Sequence, residues 1–176
     1  IQLDKAISSL LKIVIENAGA QTGVFLLQSG DQLSVYAKGD ISEGIELIQP
    51  ETSDHESLYP MSVIQYVQRT KEKLVIESVI ESGQFLTDPY IVDNEVKSIL
   101  CIPVLYQGEI LGVIYMENNL MKGAFTVQRI DLLTVLSGQI AVTLNNALLY
   151  DNLEQKVEER TQQIEAQKEQ LNQQNV

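Results

Sequence analysis

The feature that most constrains the fold is a pair of apolar segments, residues 98–106 and 109–117, separated by the dipeptide Gln107-Gly108. Both segments are rich in isoleucine, leucine and valine, and each is long enough to cross a sheet. A Gln-Gly turn between two such runs predicts a β-hairpin in the middle of a sheet. Pro103 has no N–H to donate, so we expect it at a bulge or beside an unpaired edge.

The first forty residues predict a helix followed by another hairpin. Apolar residues at spacings of three and four over residues 3–18 predict an amphipathic helix. Residues 22–27 and 33–38 predict two strands joined by a turn. The alternation in the second strand places Leu33, Val35 and Ala37 on one face and Ser34, Tyr36 and Lys38 on the other.

A short helix and a short strand follow. Ser62 and Gln65 have the spacing of a capping box, which predicts a helix over residues 63–71, and residues 74–76 predict a strand. Residues 39–61 show no clear period, which is typical of a mobile or a binding loop. Residues 79–97 predict a loop with one helical turn around Phe85.

From Thr126 onward the sequence has no proline and only one glycine, Gly138, which predicts one long helix. Up to residue 147 the apolar residues keep the spacing of a broad helix face. Beyond it they recur every seven positions, which is typical of a coiled coil between identical helices. This pattern predicts a homodimer through the terminal helices, whose seam contains Tyr150, Leu153, Val157, Ile164 and Leu171.

The join between the two patterns allows two interpretations. Either a three-residue stammer runs from Leu144 to Leu153, or Leu144 and Ala147 belong to the domain core and only later residues to the coil. We favour the second interpretation. It predicts a domain over residues 1–150 and a coiled-coil linker over residues 151–176 that leads toward an output domain outside this chain.

Composition excludes several classes of function. The net charge of −12, from 24 acidic and 12 basic side chains, argues against binding to nucleic acid or an anionic membrane. One histidine and one cysteine cannot supply a site that needs several, and a lone cysteine favours a reducing, cytoplasmic compartment. The longest apolar run, residues 110–116, is far shorter than the roughly 20 residues that span a bilayer. Because the chain begins with Ile1, we expect a fragment of a larger protein.

With this order of elements, the run SILCIPVLYQGEILGVIYMEN at residues 98–118 resembles the GAF domain, a small-molecule sensor module of signalling proteins. Residues 117–126 resemble the GAF region of large bacterial proteins that join a serine/threonine kinase to a histidine kinase. Residues 149–161 resemble the linker helix before an output module. The resemblance implies an α+β fold, in which an antiparallel sheet carries the terminal helices on one face and loops with short helices on the other.

The resemblance also implies a ligand pocket between the sheet and residues 39–61 and 78–97. Aromatic faces and two cations in this region are candidates to meet an anionic or planar ligand. Ordinary core packing of the aromatic side chains and solvation of the cations are the alternatives. The candidate lining residues are Tyr36, Lys38, Arg69, Phe85, Tyr90 and Tyr115.

Other ligands of such domains find little support in the residues. Bilin-binding domains of this type commonly carry a Cys-His pair and sulfoxide reductases several cysteines, whereas Cys101 stands alone before Ile102, so we expect it to pack as a small hydrophobe. His55 has no partners at a recognised metal-ligand spacing, so neither a metal nor haem is expected. The Asn-Lys, Phe, Asp-Glu signature of cyclic-nucleotide binding is partial, since Arg129 stands where the acidic pair is expected.

No serine or threonine has an evident base and orienting acid beside it, so no catalysis by this chain is expected. The leading hypothesis is therefore a non-catalytic regulatory sensor domain, linked to kinase or other output domains and paired with a second copy. The alternative is a ligand-free dimerisation module. An enzyme or a chromophore binder is a distant third.

Overall fold

The computed structural model describes residues 2–48 and 58–175. The described residues form five helices and six strands, and the predicted central hairpin, first hairpin and long final helix are confirmed. In chain order the elements are α1 (Gln2–Ala18), β1 (Thr22–Ser29), β2 (Gln32–Asp40), β3 (Gly44–Leu47), α2 (Met61–Thr70), β4 (Leu74–Ile76), α3 (Val79–Ser82), α4 (Pro89–Asn94), β5 (Ser98–Tyr106), β6 (Glu109–Asn118) and α5 (Val127–Gln174).

The strands form one antiparallel sheet in the order β3-β2-β1-β6-β5-β4. The β5–β6 hairpin is central, as predicted, because β1 pairs with β6 and β4 with β5. Its turn holds Gln107 and Gly108 at φ angles of 52° and 80°. Pro103 lies beyond the three residues of β5 that pair with β4, so it borders an unpaired edge.

Each face of the sheet carries its own apolar core. On the helix face, α1 and α5 pack against the sheet and against each other through residues such as Ile7, Leu11 and Leu144. On the loop face, α2, α3 and α4 cover the sheet through residues such as Val67 and Ile91. This arrangement confirms the predicted α+β fold.

A β-bulge in β2 overturns the predicted alternation of that strand. Phe25 of β1 pairs with Ala37 and the next residue pairs with Val35, so Tyr36 is the extra residue. A bulge places two successive side chains on nearly the same side. Tyr36 and Ala37 therefore both pack on the helix face, whereas Val35 belongs to the loop-face core.

The predicted capping box at Ser62 and Gln65 is wrong. α2 begins at Met61, after the N-cap residue Pro60, which offers no side-chain hydrogen bond. Ser62 instead donates its N–H, at 3.0 Å, and its hydroxyl to the carboxylate of Asp88. A carboxylate is a stronger acceptor for the N–H of Ser62 than the neutral side-chain amide of Gln65.

The two segments predicted to be irregular contain regular structure. Residues 39–61 include the end of β2 and all of β3, and residues 49–57 lie outside the described residues. Residues 79–97 include α3 and α4, whereas Phe85 lies between them at a φ of 60° and not in a helical turn. The two helices begin at the side-chain caps of Ser78 and Asp88.

α5 continues without interruption from the domain into a solvated extension. Leu144 and Ala147 are buried in the helix-face core, as the favoured interpretation of the join requires, whereas the coil formed by later residues stays a prediction. Every described residue after Asp151 is exposed. By length and composition alone, one stretch of α5 is apolar enough to cross a membrane, a test that the core helix of a globular domain also passes. The absence of membrane contact therefore stays a prediction.

Candidate functional site

A buried polar cluster lies on the loop face, where α4 covers the central strand β6. Tyr115 and Glu117 are two residues apart on β6, so both side chains point to this face. The Tyr90 hydroxyl of α4 donates a hydrogen bond to Glu117 Oε1. The rings of Tyr90 and Tyr115 meet edge to face, with centroids 6.3 Å apart and an interplanar angle of 88°. The three residues join the helix to the middle of the sheet.

Glu117 is a carboxyl group in an apolar surrounding, with 1% of its surface exposed. Burial raises its pKa, and this effect is opposed by the Tyr90 hydroxyl, by the side chains of Asn119 and Thr22, and by the charge of Lys38. Lys38, whose side chain is half-buried, is thus the cation that faces this acid from β2. The cluster combines a carboxyl group, two phenols and one ammonium group.

Two buried oxygen atoms of the cluster lack a hydrogen-bond partner among the described residues, namely Tyr115 Oη and Glu117 Oε2. Burial raises the pKa of both Tyr90 and Tyr115, so their hydroxyls stay protonated donors at neutral pH. A protonated phenol and a carboxyl oxygen can recognise a polar group through hydrogen bonds.

Cys101 lies beside Tyr115 in the neighbouring strand and is fully buried. Burial raises the pKa of its thiol far above neutral pH, so the thiolate that would act as a nucleophile is not formed. The prediction that Cys101 packs as a small hydrophobe is confirmed.

A second aromatic group on the loop face contains two of the predicted pocket residues. The Arg69 guanidinium carbon lies 5.8 Å from the centroid of the Tyr66 ring. Tyr66 in turn meets Phe85 edge to face at 6.0 Å. Arg69 is exposed and Phe85 is half-buried. The structure thus brings Arg69 and Phe85 together through Tyr66, which the sequence pattern did not single out.

Tyr36 does not join the other candidate residues. The bulge directs it to the helix face, where its hydroxyl donates to Asp4 of α1. The prediction that it lines a loop-face pocket with Lys38 fails for this reason. Of the six candidates, Tyr90, Tyr115 and Lys38 surround Glu117, and Arg69 and Phe85 flank Tyr66.

Asp88 positions the site, although no sequence argument selected it. One carboxylate oxygen accepts from the N–H and hydroxyl of Ser62, and the other accepts from the N–H of Tyr90 at 2.9 Å. It therefore ties the start of α2 to the start of α4. An aspartate directly before Pro89 is a helix-start signal that could have identified it. Glu117 could have been identified as an acid that ends an otherwise apolar strand.

Two cavities lined by described residues lie away from this cluster. One of about 500 Å³ lies among residues of α3, Lys97 and the loop after β6, and one of about 420 Å³ lies between α1 and the β2–β3 edge. Neither is lined by Tyr90 or Tyr115. Among the described residues no group of acidic, histidine and cysteine side chains could hold a metal ion. His55 lies outside the described residues.

The predicted seam residues are all exposed apolar side chains on the extension of α5. Their exposed fractions lie between 54% for Tyr150 and 63% for Leu153. Further exposed apolar residues precede them on the domain part of the same helix, namely Leu132, Val135, Val142 and Leu149. These exposed apolar residues begin at Leu132, about five helical turns before Tyr150, where the predicted seam starts.

Comparison with known proteins supports the family resemblance. The family model of the GAF domain matches residues 2–144. The chain is similar to the hybrid signal transduction histidine kinase G of Dictyostelium discoideum, with 38% identity over 95 residues, which are 54% of this chain and 3% of that protein. It is similar to the probable 3',5'-cyclic phosphodiesterase pde-5 of Caenorhabditis elegans, with 31% identity over 157 residues, which are 87% of this chain and 19% of that protein.

A solved structure shares the fold. The GAF domain of a two-component sensor histidine kinase from Bacillus halodurans superposes with a TM-score of 0.61 at 17% identity, covering 84% of this chain and 97% of that one. The chain spans only a small part of the length of both curated relatives.

Proposed function

This chain belongs to the GAF domain family, and from that premise we propose that it is a non-catalytic regulatory domain of a signal-transduction kinase. The domain senses a small molecule or a conformational change and relays the signal through α5 to an output module. A second copy of the chain pairs with it through the terminal helices. The parent protein is a histidine kinase, a serine/threonine kinase or both, and it acts in the cytoplasm.

The observation that carries this proposal is the continuity of α5. The helix runs for 48 residues, packs in the domain core through Leu133, Ile140 and Leu144, and extends into solvent without a break. Because a helix transmits displacement and rotation along its axis, movement in the core reaches the extension. A narrow apolar stripe on a solvated helix is stabilised by an identical stripe on a second helix.

The loop-face cluster is the proposed sensing end. Tyr90 and Glu117 connect α4 directly to the strand that leads into the loop before α5. A ligand that binds among these polar groups would change the position of α4 relative to the sheet. The chemistry of the cluster favours a ligand that combines a planar or apolar body with a hydrogen-bonding group.

Sedimentation equilibrium tests the pairing. We expect the wild-type chain to be a dimer and Val157→Lys to be a monomer, because a buried ammonium in the seam is unfavourable. Gln162→Lys is the matched control, since it adds the same charge on the opposite side of the extension and leaves the dimer intact. A monomeric wild-type chain at high concentration would disprove the pairing.

The alternative function, a dimerisation module without a ligand, is favoured by one specific observation. Tyr115 is completely buried, and side chains fill the loop face at the cluster. Thermal denaturation with nucleotides, amino acids and other small metabolites distinguishes the two functions, because a ligand of the native state raises the melting temperature. A rise that Tyr90→Phe abolishes supports sensing, whereas no rise with any compound supports the alternative.

A further inference from the structure

Two hydrogen bonds connect β2, α1 and α5 on the helix face, at the point where α5 leaves the domain. The Tyr36 hydroxyl of β2 donates to Asp4 Oδ1 in the first turn of α1. Asp151 of α5 accepts the N–H of Leu3 at 3.2 Å through Oδ2. Among the described residues of α5, Asp151 is also the last that is not fully exposed.

We propose that Tyr36 is a positioning residue whose hydroxyl is shared between the carboxylates of Asp4 and Asp151, and that this contact fixes where α5 leaves the domain. As a mechanism of regulation, the inference rests on the proposed relay function. The hydrogen bonds of Tyr36 and Asp151 themselves lie within one chain and do not depend on pairing with a second copy.

The first argument is the balance of donors and acceptors. A tyrosine hydroxyl donates one hydrogen, and an ionised carboxylate only accepts. Tyr36 donates to Asp4, while Asp151 Oδ1 is buried without a hydrogen-bond partner among the described residues. An unpaired buried acceptor is unfavourable, so transfer of the donor to Asp151 would satisfy one carboxylate at the expense of the other. Such an exchange defines two arrangements of the hydrogen bond.

The second argument is electrostatic. Burial raises the pKa of Tyr36, and so do its hydrogen bond with Asp4 and the negative charges of Asp4 and Asp151. The charges of both carboxylates therefore act on the same hydroxyl, which remains protonated and keeps its hydrogen to donate.

The third argument is the bulge in β2. Because Tyr36 is the extra residue of the strand, its side chain faces α1 and α5, whereas Lys38 faces Glu117 on the opposite side of the sheet. A shift of β2 caused on the loop face would move Tyr36 on the helix face. Residues 36–38 of β2 thus connect the buried polar cluster on the loop face to the point where α5 leaves the domain.

Hydrogen exchange of the amides at residues 147–151 tests the proposal in the full chain. Tyr36→Phe removes only the hydroxyl, and we expect about tenfold faster exchange at these amides, with little change in β1 and β6. The matched control is Tyr106→Phe, because Tyr106 packs against the same helix-face core and its hydroxyl makes no hydrogen bond among the described residues. It is expected to leave the exchange unchanged.

A second variant separates a specific contact from general packing. If Tyr36 acts through Asp151, the double variant Tyr36→Phe with Asp151→Asn exchanges these amides no faster than the faster of the two single variants. Unchanged exchange in Tyr36→Phe, an equal increase over the whole sheet, or additive effects in the double variant would each overturn the proposal. Because Ala147 packs in the core of its own domain and Asp151 accepts a hydrogen bond from Leu3 of the same chain, this readout stands even if sedimentation shows a monomer and the proposed pairing fails.

Discussion

The two halves of α5 form one helix in two different environments. Up to Ala147 the helix is held by the core of its own domain, whereas every described residue from Asn152 onward is exposed. An isolated helix of about 20 residues is marginally stable in water. The first half is therefore stabilised within the chain, whereas stabilisation of the second half by another chain is part of the proposed pairing. The apolar residues of α5 therefore lie in two environments, a domain core and an exposed surface.

The largest effect is expected from truncation in the first half. Leu144 is completely buried, so Leu144→Ala is expected to lower the free energy of unfolding by about 2 to 5 kcal/mol, through lost burial and the cavity that remains. Chemical denaturation monitored by circular dichroism measures this loss. A change of about 0.5 kcal/mol or less, as at an exposed position, would contradict the placement of the first half in the core.

The next effect concerns the weak part of the proposed seam. Arg160 occupies a position that an apolar residue would fill in a strong coiled coil. Arg160→Leu is expected to tighten the dimer about tenfold, because it adds apolar contact in place of a charge. Sedimentation equilibrium measures this constant, and Gln162→Leu, which adds the same side chain off the seam, is the control. Equal effects of the two changes would show that the seam is placed incorrectly.

The contrast between buried and exposed positions also predicts which acids make stability depend on pH. Burial raises the pKa of Glu117 above its ordinary value of 4.5. Between pH 4.5 and the raised pKa of Glu117 in the folded state, the folded chain holds a proton that the unfolded chain has lost. The free energy of unfolding therefore falls as the pH rises through this window. Glu117→Gln keeps the Tyr90 hydrogen bond without the titrating carboxyl group, and it is expected to remove this part of the pH dependence.

Thermal or chemical denaturation at several pH values measures that dependence. Glu158→Gln, on the exposed extension, is the control and should leave it unchanged. If Glu117→Gln has the same pH profile as the wild type, the buried carboxyl group is not the source of the dependence.

The smallest effect is expected from a leucine-to-alanine change in the exposed second half of α5. Leu153 is 63% exposed, so Leu153→Ala should change the unfolding free energy of the domain by about 0.5 kcal/mol or less when the protein is dilute enough to be monomeric. At high concentration the variant should dissociate more readily than the wild type. A loss as large as that of Leu144→Ala would place Leu153 in the domain core.

Local patterns explain why much of the fold was predictable. The apolar runs and the turn at Gln107 and Gly108 specify the central hairpin, and the spacing from Ile130 to Ala147 specifies the packed part of α5. The sequence also separated the packed part of the helix from the stripe that follows. These features depend on neighbouring residues only.

The features that escaped prediction depend on contacts between distant residues. The alternation of Leu33, Val35 and Ala37 is regular, so nothing in it reveals the bulge that turns Tyr36 to the other face. The carboxylate that displaces the capping box at Ser62 comes from 26 residues away. The hydrogen-bond partner of Tyr90 is Glu117 in a central strand. Acidic residues are uncommon at such buried positions because a buried carboxylate loses its hydration. Some residues of the candidate site could therefore be predicted from the sequence, but the contacts between them could not.

Hydrogen exchange along α5 at several protein concentrations tests the central claim most directly. We expect the amides of residues 133–147 to be protected equally at all concentrations, because their own domain covers them. Protection of residues 153–171 should rise with concentration as a second copy covers the stripe. Protection of the extension that is the same at every concentration, or absent even at the highest, would contradict the account.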